Sequence, residues 1–379
     1  MKIGIEATSA VVSQKAGVGY YTYHLIRSMA QLCQTSHVYT LYLRHAISDV
    51  PRLFDVNTST AACLFPKVLK FPYLWTQMRL PFELWHHLQD VYFFPASLIP
   101  LSYVPEKSVM TIHDVAFLFF PECFSSSLRR WLMLATEQGI QKARKIIAVS
   151  EATRQDLLAY YGIDPKKVVA IHHGVHEVFH PLEPHVIAPL QQKYRLERPY
   201  ILCVGTLQRR KNIPRLIQAF YLLKQKYHLP HKLVLIGQKY VDLPEDEIFA
   251  TIERLFLDEE VIWTGYVPAQ DLPALMNGAD IFVLPSLYEG FGMPLLEAMA
   301  CGTPVACSNI SSLPEVVGDA GILFDPYCVE NIVDTLYQLL EDQALRSELR
   351  AKGLSRITSF SWNTCARKTL EVLEFVGHA

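Results

Sequence analysis

The stretch LPSLYEGFGMPLLEAMACGTPVACSN, residues 284–309, decides how the rest of the chain is read. It closes an apolar strand, turns on Gly290 and Gly292, enters a helix at Pro294 and leaves it before Gly302. Proline suits the first helical position, where its missing N–H is no loss, and glycine suits the residue just past the last turn. The helix is therefore short, about two and a half turns. Its exposed N-terminal amides favour a phosphate or diphosphate. Two carboxylates, Glu289 and Glu297, nevertheless flank the helix start, so the ligand must offer more than negative charge.

Working outward, short apolar strands alternate with amphipathic helices over most of the chain, the pattern of parallel sheets covered by helices on both faces. KIGIE, VYTLYL, VYFFP, SVMTIHD, KIIAVS and KVVAIHH are the strands of the first half; YILCVG, KLVLIG, VIWTG, IFVLPS, TPVACS and GILF repeat the grammar in the second. Ser150 is the expected N-cap of the helix in SEATRQDLLAYYG. Residues 177–199 are rich in proline and charge and lack a sustained period, so they read as a linker. The chain thus divides into a Rossmann-like domain over 1–180, a linker at 181–198, a second such domain over 199–358, and a C-terminal helix at 359–379 that packs back toward the first. A length of 379 residues suits two cores. Ligands of open parallel sheets bind beyond the carboxyl ends of the strands, and with two sheets the expected site is the cleft between them.

Composition narrows the function classes. A formal net charge of −2 gives no electrostatic case for nucleic acid. The eight cysteines never form a C-x-x-C pair and mostly sit in apolar runs, which points to buried free thiols in a reducing compartment. No signal peptide opens the chain and no apolar run is long enough to span a membrane, so a cytoplasmic protein is expected. HEVFH at 176–180 is a literal H-E-x-x-H, but Gly174 and Pro181 bracket it too tightly for a zinc-binding helix, and a loop is expected there. Asp246 and Glu247 sit in a proline-bounded acidic surface segment. No metal site is expected. GVG at 17–19 lies a dozen residues after the first strand and lacks the register of a dinucleotide fingerprint. Arg210 and Lys211, in VGTLQRRKN after the first strand of the second half, share the carboxyl edge with the Glu289 loop and make a diphosphate clamp with the helix start.

EGFGMPLLE matches the E-x7-E motif of the retaining family 4 glycosyltransferases, whose GT-B architecture has two facing Rossmann-like domains. ILCVGTLQRRKNIPRLIQAF, LVLIG, the run from VIWTG to LFDP and the early GVGYYTYHL resemble further family segments in order. The resemblance is densest over 199–330 and thin from 45 to 105, where such families carry acceptor contacts. It implies that Glu289 bonds donor-sugar hydroxyls, that Glu297 takes the ribose hydroxyls, and that Arg210 and Lys211 hold the diphosphate. Backbone amides of Phe291, Gly292, Met293 and Leu295 would face sugar and phosphate, and the backbone near Tyr266 and Val267 the base. The loop at Gly17 and Gly19 would close over the diphosphate, and His113 would lie by the sugar. Thr206 stands where many relatives have arginine.

The implied activity is metal-independent, retaining transfer of a hexose from a nucleoside diphosphate sugar to a glycan or lipid-linked acceptor in polysaccharide biosynthesis. UDP-glucose is favoured as donor and GDP-mannose comes next; no cofactor is implied. A nucleotide-sugar epimerase and a non-enzymatic nucleotide-sugar binding protein are the alternatives. Residues 66–88 mix Lys67, Lys70 and Arg79 with Trp75, Phe82 and Trp85. They read either as a peripheral contact with the inner face of the cell membrane or as a core helix with a solvated basic edge.

Overall fold

The computed structural model describes all residues except 13, 14, 16, 33–36, 47–49, 72, 98, 197, 198 and 240–245. The chain folds into two compact units. Unit 1 comprises 1–119, 126–174 and 360–379; unit 2 comprises 120–125 and 175–359.

Unit 1 is built on seven parallel strands: β1 (Lys2–Glu6), β2 (Val38–Leu43), β3 (Leu64–Val68), β4 (Val91–Phe94), β5 (Ser108–Ile112), β6 (Lys145–Ala148) and β7 (Val168–Ala170), in the order β3-β2-β1-β4-β5-β6-β7. The order reverses at β1, as in a doubly wound sheet. The central strands are buried on both faces: Ile3, Ile5, Phe93, Val109 and Ile147 are fully covered or nearly so, which is why they read as continuous apolar runs. β3, LFPKV, is absent from the sequence-based strands; Pro66 within it is tolerated because β3 is an edge. Ser150 caps the helix Glu151–Tyr161 as expected, its hydroxyl accepting from Thr153 N at 3.0 Å.

The C-terminal helix Trp362–His378 lies against the helix Gly17–Leu32 and buries Trp362, Cys365, Ala366, Leu373 and Val376 in the unit 1 core. At Gly174, the last residue of unit 1 before the chain leaves it, a Cβ would fall 2.1 Å from Trp362 N. Only glycine lets the departing and returning strands of the chain lie this close.

Unit 2 holds six parallel strands, β8 (Tyr200–Val204), β9 (Lys232–Ile236), β10 (Val261–Gly265), β11 (Ile281–Leu284), β12 (Val305–Ser308) and β13 (Gly321–Phe324), ordered β10-β9-β8-β11-β12-β13. The order reverses between β8 and β11, and both strands end at the carboxyl edge where the candidate residues sit. The stretch read as a linker is a correction: Pro184–Lys193 forms a helix packed on the helix Leu272–Gly278 of unit 2, with Ile187 buried. Pro184 opens it, and Pro189 inside it masks the helical period.

Candidate functional site

The loop after β11 and the turn after β8 meet at one point. Past Val204 the chain passes Gly205, whose carbonyl lies against Gly237: a Cβ there would fall 1.9 Å from Gly205 O, so this contact needs glycine. It then makes a short helical turn, Arg209–Lys211, and reverses at Asn212, which holds φ 57° and anchors its side-chain amide on Pro326 O at 2.8 Å. Asparagine tolerates that left-handed geometry. Arg210 and Lys211 are thereby aimed at Glu289.

Arg210 Nη1 donates to Tyr288 O at 2.8 Å and to Glu289 Oε2 at 3.2 Å, and its Nε donates to Gln208 Oε1 at 3.1 Å. The ammonium of Lys211 donates to Glu289 Oε1, which also accepts from Ser286 Oγ at 2.7 Å. All three charged side chains are nearly buried, with 15%, 12% and 10% exposure for Arg210, Lys211 and Glu289. Burial alone would push the Glu289 carboxyl up, but Lys211 and Arg210, with the hydroxyl of Ser286, outweigh it and hold it at about 2. Burial pulls Lys211 below its ordinary value against the attraction of Glu289. Two cations and one carboxylate leave one net positive charge, while Glu289 stays ionised and can only accept hydrogen bonds.

The helix Met293–Ala300 begins four residues past Glu289, with Gly292 as its N-cap at φ 102° and Pro294 inside its first turn. A Cβ on Gly292 would also fall 2.8 Å from Leu313 Cδ2. Leu295 N donates to Gly292 O at 3.0 Å, so that amide is occupied. The amides of Gly292 and Met293 carry no hydrogen bond among the described residues. Phe291 is buried. Gly302 follows the helix at φ 74°, the left-handed stop expected of it.

Glu297 stands on the second turn of this helix, half-buried, and its carboxylate has no ion pair or hydrogen bond among the described residues. Desolvation raises it to about 7. The two glutamates of the motif therefore sit in opposite environments: one clamped and ionised, the other solvated by nothing the protein supplies. Tyr266 and Val267 follow β10 at the same edge of the sheet, Tyr266 exposed and Val267 buried. Thr206 is exposed just past β8.

Three serines outside the predicted set complete the cluster. Besides Ser286, Ser311 Oγ donates to Glu289 O at 2.7 Å and accepts from Glu289 N at 3.1 Å. Ser312 Oγ contacts both Glu289 O, at 2.9 Å, and Phe291 O, at 2.8 Å. Ser312 precedes the helix Leu313–Val317 but does not cap it, its hydroxyl being committed to the glutamate loop. The signal available in sequence was only the polar NISSLPE beside β12; the partnership across more than twenty residues has no local pattern.

In unit 1, His113 follows β5. Its Nε2 donates to Pro95 O at 2.7 Å, and its backbone N to Ser97 Oγ at 3.3 Å. A carbonyl only accepts, so the proton is on Nε2 and Nδ1 is left as an acceptor. Burial lowers the ring below its ordinary value against the Pro95 bond and Asp114, so it is neutral at pH 7. Tyr21 packs edge-on against it at 4.7 Å between centroids. Gly17 and Gly19 are corrected: both lie in the first turn of the helix Gly17–Leu32, not in a loop, and a Cβ on Gly19 would meet Ser9 O at 2.9 Å. HEVFH is non-helical, and Val178 N donates to His176 Nδ1 at 3.1 Å. No cluster of three metal-ligating side chains occurs among the described residues.

Two doubly wound parallel sheets in one chain are the architecture of the GT-B fold. Residues 189–356 match the model of the glycosyl transferases group 1, and 16–178 that of glycosyltransferase family 4. The chain belongs to this glycosyltransferase family. It is 32% identical over 384 residues to O-antigen chain mannosyltransferase B of Escherichia coli, covering 99% of this chain and 100% of that one. It is 35% identical over 280 residues to the serotype-specific mannosyltransferase WbdA of Escherichia coli, covering 72% of this chain and 34% of WbdA, so it spans about a third of that relative's length. Among solved structures, Anabaena HepE in complex with UDP-glucose has TM-score 0.74 at 20% identity over 99% of both chains. Sucrose-phosphate synthase from Thermosynechococcus elongatus has 0.74 at 18%, over 99% of this chain and 98% of that one.

Proposed function

We propose that this hexosyltransferase moves a mannosyl residue from nucleoside diphosphate mannose to a glycan acceptor during polysaccharide assembly. The Arg210–Glu289–Lys211 cluster beside the helix start carries the reading. The names of the mannosyltransferase relatives move the preference from UDP-glucose to GDP-mannose.

In this reading Arg210, Lys211 and the amides of Gly292 and Met293 receive the diphosphate. As the bond to the anomeric carbon lengthens, negative charge grows on the departing phosphate, and these fixed donors stabilise it most in the transition state. Glu289, held ionised, accepts from sugar hydroxyls, and Glu297 from the ribose. The backbone at Tyr266 and Val267 meets the base. His113 Nδ1 accepts from a sugar hydroxyl. The transfer retains anomeric configuration by a front-face route in which the leaving phosphate takes the acceptor proton, and no metal takes part.

Anomeric assignment by NMR of the product formed from GDP-mannose and, in parallel, UDP-glucose tests donor and stereochemistry together. Transfer from GDP-mannose with retention is expected; inversion, or transfer from UDP-glucose alone, refutes the corresponding part.

We also propose a peripheral membrane contact through the segment 66–88. Tyr73, Leu74, Met78, Phe82 and Trp85 are exposed, between 55% and 78%, while Trp75, Leu80 and Leu84 are buried, so the segment keeps the expected core face and carries an exposed apolar face beside it. Lys67 and Arg79, however, both pair with the buried carboxylate of Glu83. The contact is accordingly apolar more than electrostatic, and flotation with neutral vesicles should recover the protein nearly as well as flotation with anionic ones. No flotation with either removes the contact.

A further inference from the structure

Unit 2 contains a second concave site, a cavity of about 700 Å³ at the edge of its sheet opposite the Glu289 loop. Asp280 stands just before β11 and Pro304 just before β12, so the cavity lies at the amino ends of the strands. One wall is the helix Pro184–Lys193, the stretch that reads as a linker in the sequence, through Pro184, Ile187 and Ala188. The other is the helix Gln343–Arg356, through Gln343, Arg346 and Arg350. Each set recurs at steps of three and four residues and therefore shares one helix face. Between the walls the helix Met293–Ala300 ends, at Cys301 and Gly302. That helix has eight residues and is about 12 Å long, so a small ligand here stands a full helix length from the amides of Gly292 and Met293.

The charges on the walls are unequally committed. Arg346 Nη1 donates to Leu339 O at 2.6 Å and to Leu340 O, which ties it to the end of a neighbouring helix. Arg350 has no ion pair or hydrogen bond among the described residues. Its guanidinium lies over Gly302, where a Cβ would fall 2.9 Å from Nε. The carbonyl end of the helix beneath it offsets only about half an elementary charge. Asp280 Oδ2 accepts from Tyr200 N at 3.1 Å and has His231 Nε2 at 3.8 Å. Its Oδ1 has no partner among the described residues. Glu183 and Gln343 stand exposed at the mouth.

An open cation on one side and open carboxylate and amide oxygens on the other discriminate among ligands. Inorganic phosphate would pair with Arg350 and offer nothing to Asp280 when fully ionised. A lipid tail would cover Ile187 and strand both charges. An uncharged sugar would satisfy Asp280 and leave Arg350 unmet. A sugar phosphate meets every group: its phosphate accepts from Arg350, its hydroxyls donate to Asp280 Oδ1, Glu183 and Gln343, and its ring carbons lie over Ile187 and Ala188. The volume falls within the range of small-molecule sites, about 300–1,000 Å³.

We propose that this cavity is a second ligand site, distinct from the donor site, and that it takes a monosaccharide phosphate with Arg350 on the phosphate and Asp280 on the ring. The assignment goes beyond the transferase reading and does not depend on it, since no residue of the Arg210–Glu289–Lys211 cluster borders the cavity.

Titration calorimetry on the full chain tests the site, with the donor site first saturated by GDP so that phosphate binding there is suppressed. The probes are mannose 1-phosphate, glucose 1-phosphate and glucose 6-phosphate, with inorganic phosphate and free mannose as separate arms. At least one sugar phosphate should bind about tenfold or more tightly than either control. Arg350→Ala, which removes the exposed cation, and Ala188→Trp, which fills the groove from an exposed position, should each weaken it about tenfold or more and leave GDP affinity unchanged. Failure of every sugar phosphate to bind at millimolar concentration overturns the proposal. So does inorganic phosphate binding as tightly as the sugar phosphates, or sugar phosphate binding that survives both substitutions. Should GDP itself not bind, the transferase reading falls, and the same titrations run without GDP still decide the cavity through the two variants.

Discussion

Replacing Glu297 with glutamine should make the unliganded protein more stable and the enzyme worse. The carboxyl sits half-buried without a partner and titrates at about 7 instead of 4.5. For a group whose pKa is raised in the fold, the stabilising contribution is fully present below the unfolded value and is lost as pH rises through the folded one. The gap between the two values corresponds to about 3 kcal/mol, lost between about pH 4.5 and pH 7. Glu297→Gln removes the titration and keeps the shape. At pH 8 the variant should recover up to about 3 kcal/mol, which raises the melting temperature of a unit of this size by about 6–12 °C. At pH 4.5 the two proteins should melt together. Differential scanning calorimetry of both proteins across that pH range makes the comparison. The same substitution should weaken donor binding about tenfold at pH 8, because a neutral amide is a poorer partner for two ribose hydroxyls than a carboxylate. A variant that melts at or below the wild-type temperature at pH 8 would refute the reasoning, since it would mean that Glu297 has a partner in the folded state.

Glu289→Gln should do the reverse. Its carboxyl is held at about 2, so its contribution is present above pH 4.5 and lost as pH falls toward 2; the variant should lose about 3 kcal/mol at pH 7 by urea denaturation, with transfer activity falling too. Arg210→Ala and Lys211→Ala should each raise the donor dissociation constant by about 10- to 100-fold, read by titration calorimetry. Ser312→Ala frees the carbonyls of Glu289 and Phe291; a loss of about 1–2 kcal/mol with a fall in kcat larger than the change in donor KM is expected, and unchanged kinetics would show that the loop does not depend on it. Gly292→Ala places a side chain at φ 102° and against Leu313, and should abolish donor binding before it abolishes folding, as fluorescence titration and circular dichroism together would reveal.

Much of the architecture was legible because parallel strands buried on both faces leave unbroken apolar runs. All six strands of unit 2 stand where those runs predicted them. β3 escaped because an edge strand tolerates Pro66 and leaves Phe65 exposed, so it neither alternates nor forms a run. The helix Pro184–Lys193 escaped because Pro189 interrupts its period. At the site, the helix start was readable from proline and glycine, whose placement is a local matter. The pairing of Arg210 and Lys211 with Glu289 was not: it joins residues nearly eighty apart, and only the strand order β8-β11 makes them neighbours. Nor could sequence show that one motif glutamate is clamped and the other orphaned. That difference comes from packing around each carboxylate, not from residue type.

The close passage of Gly174 against Trp362 has a practical reading for recombination. Unit 1 is discontinuous in the chain, and its final helix fills its own core. A single crossover in the middle of the gene would therefore split a hydrophobic interior between parents. An exchange of 175–359 as an inserted cassette, carried with the short segment 120–125, respects the units. Exchange of this unit among relatives would be constrained to the joints 119/120, 125/126, 174/175 and 359/360, one of them fixed by a glycine.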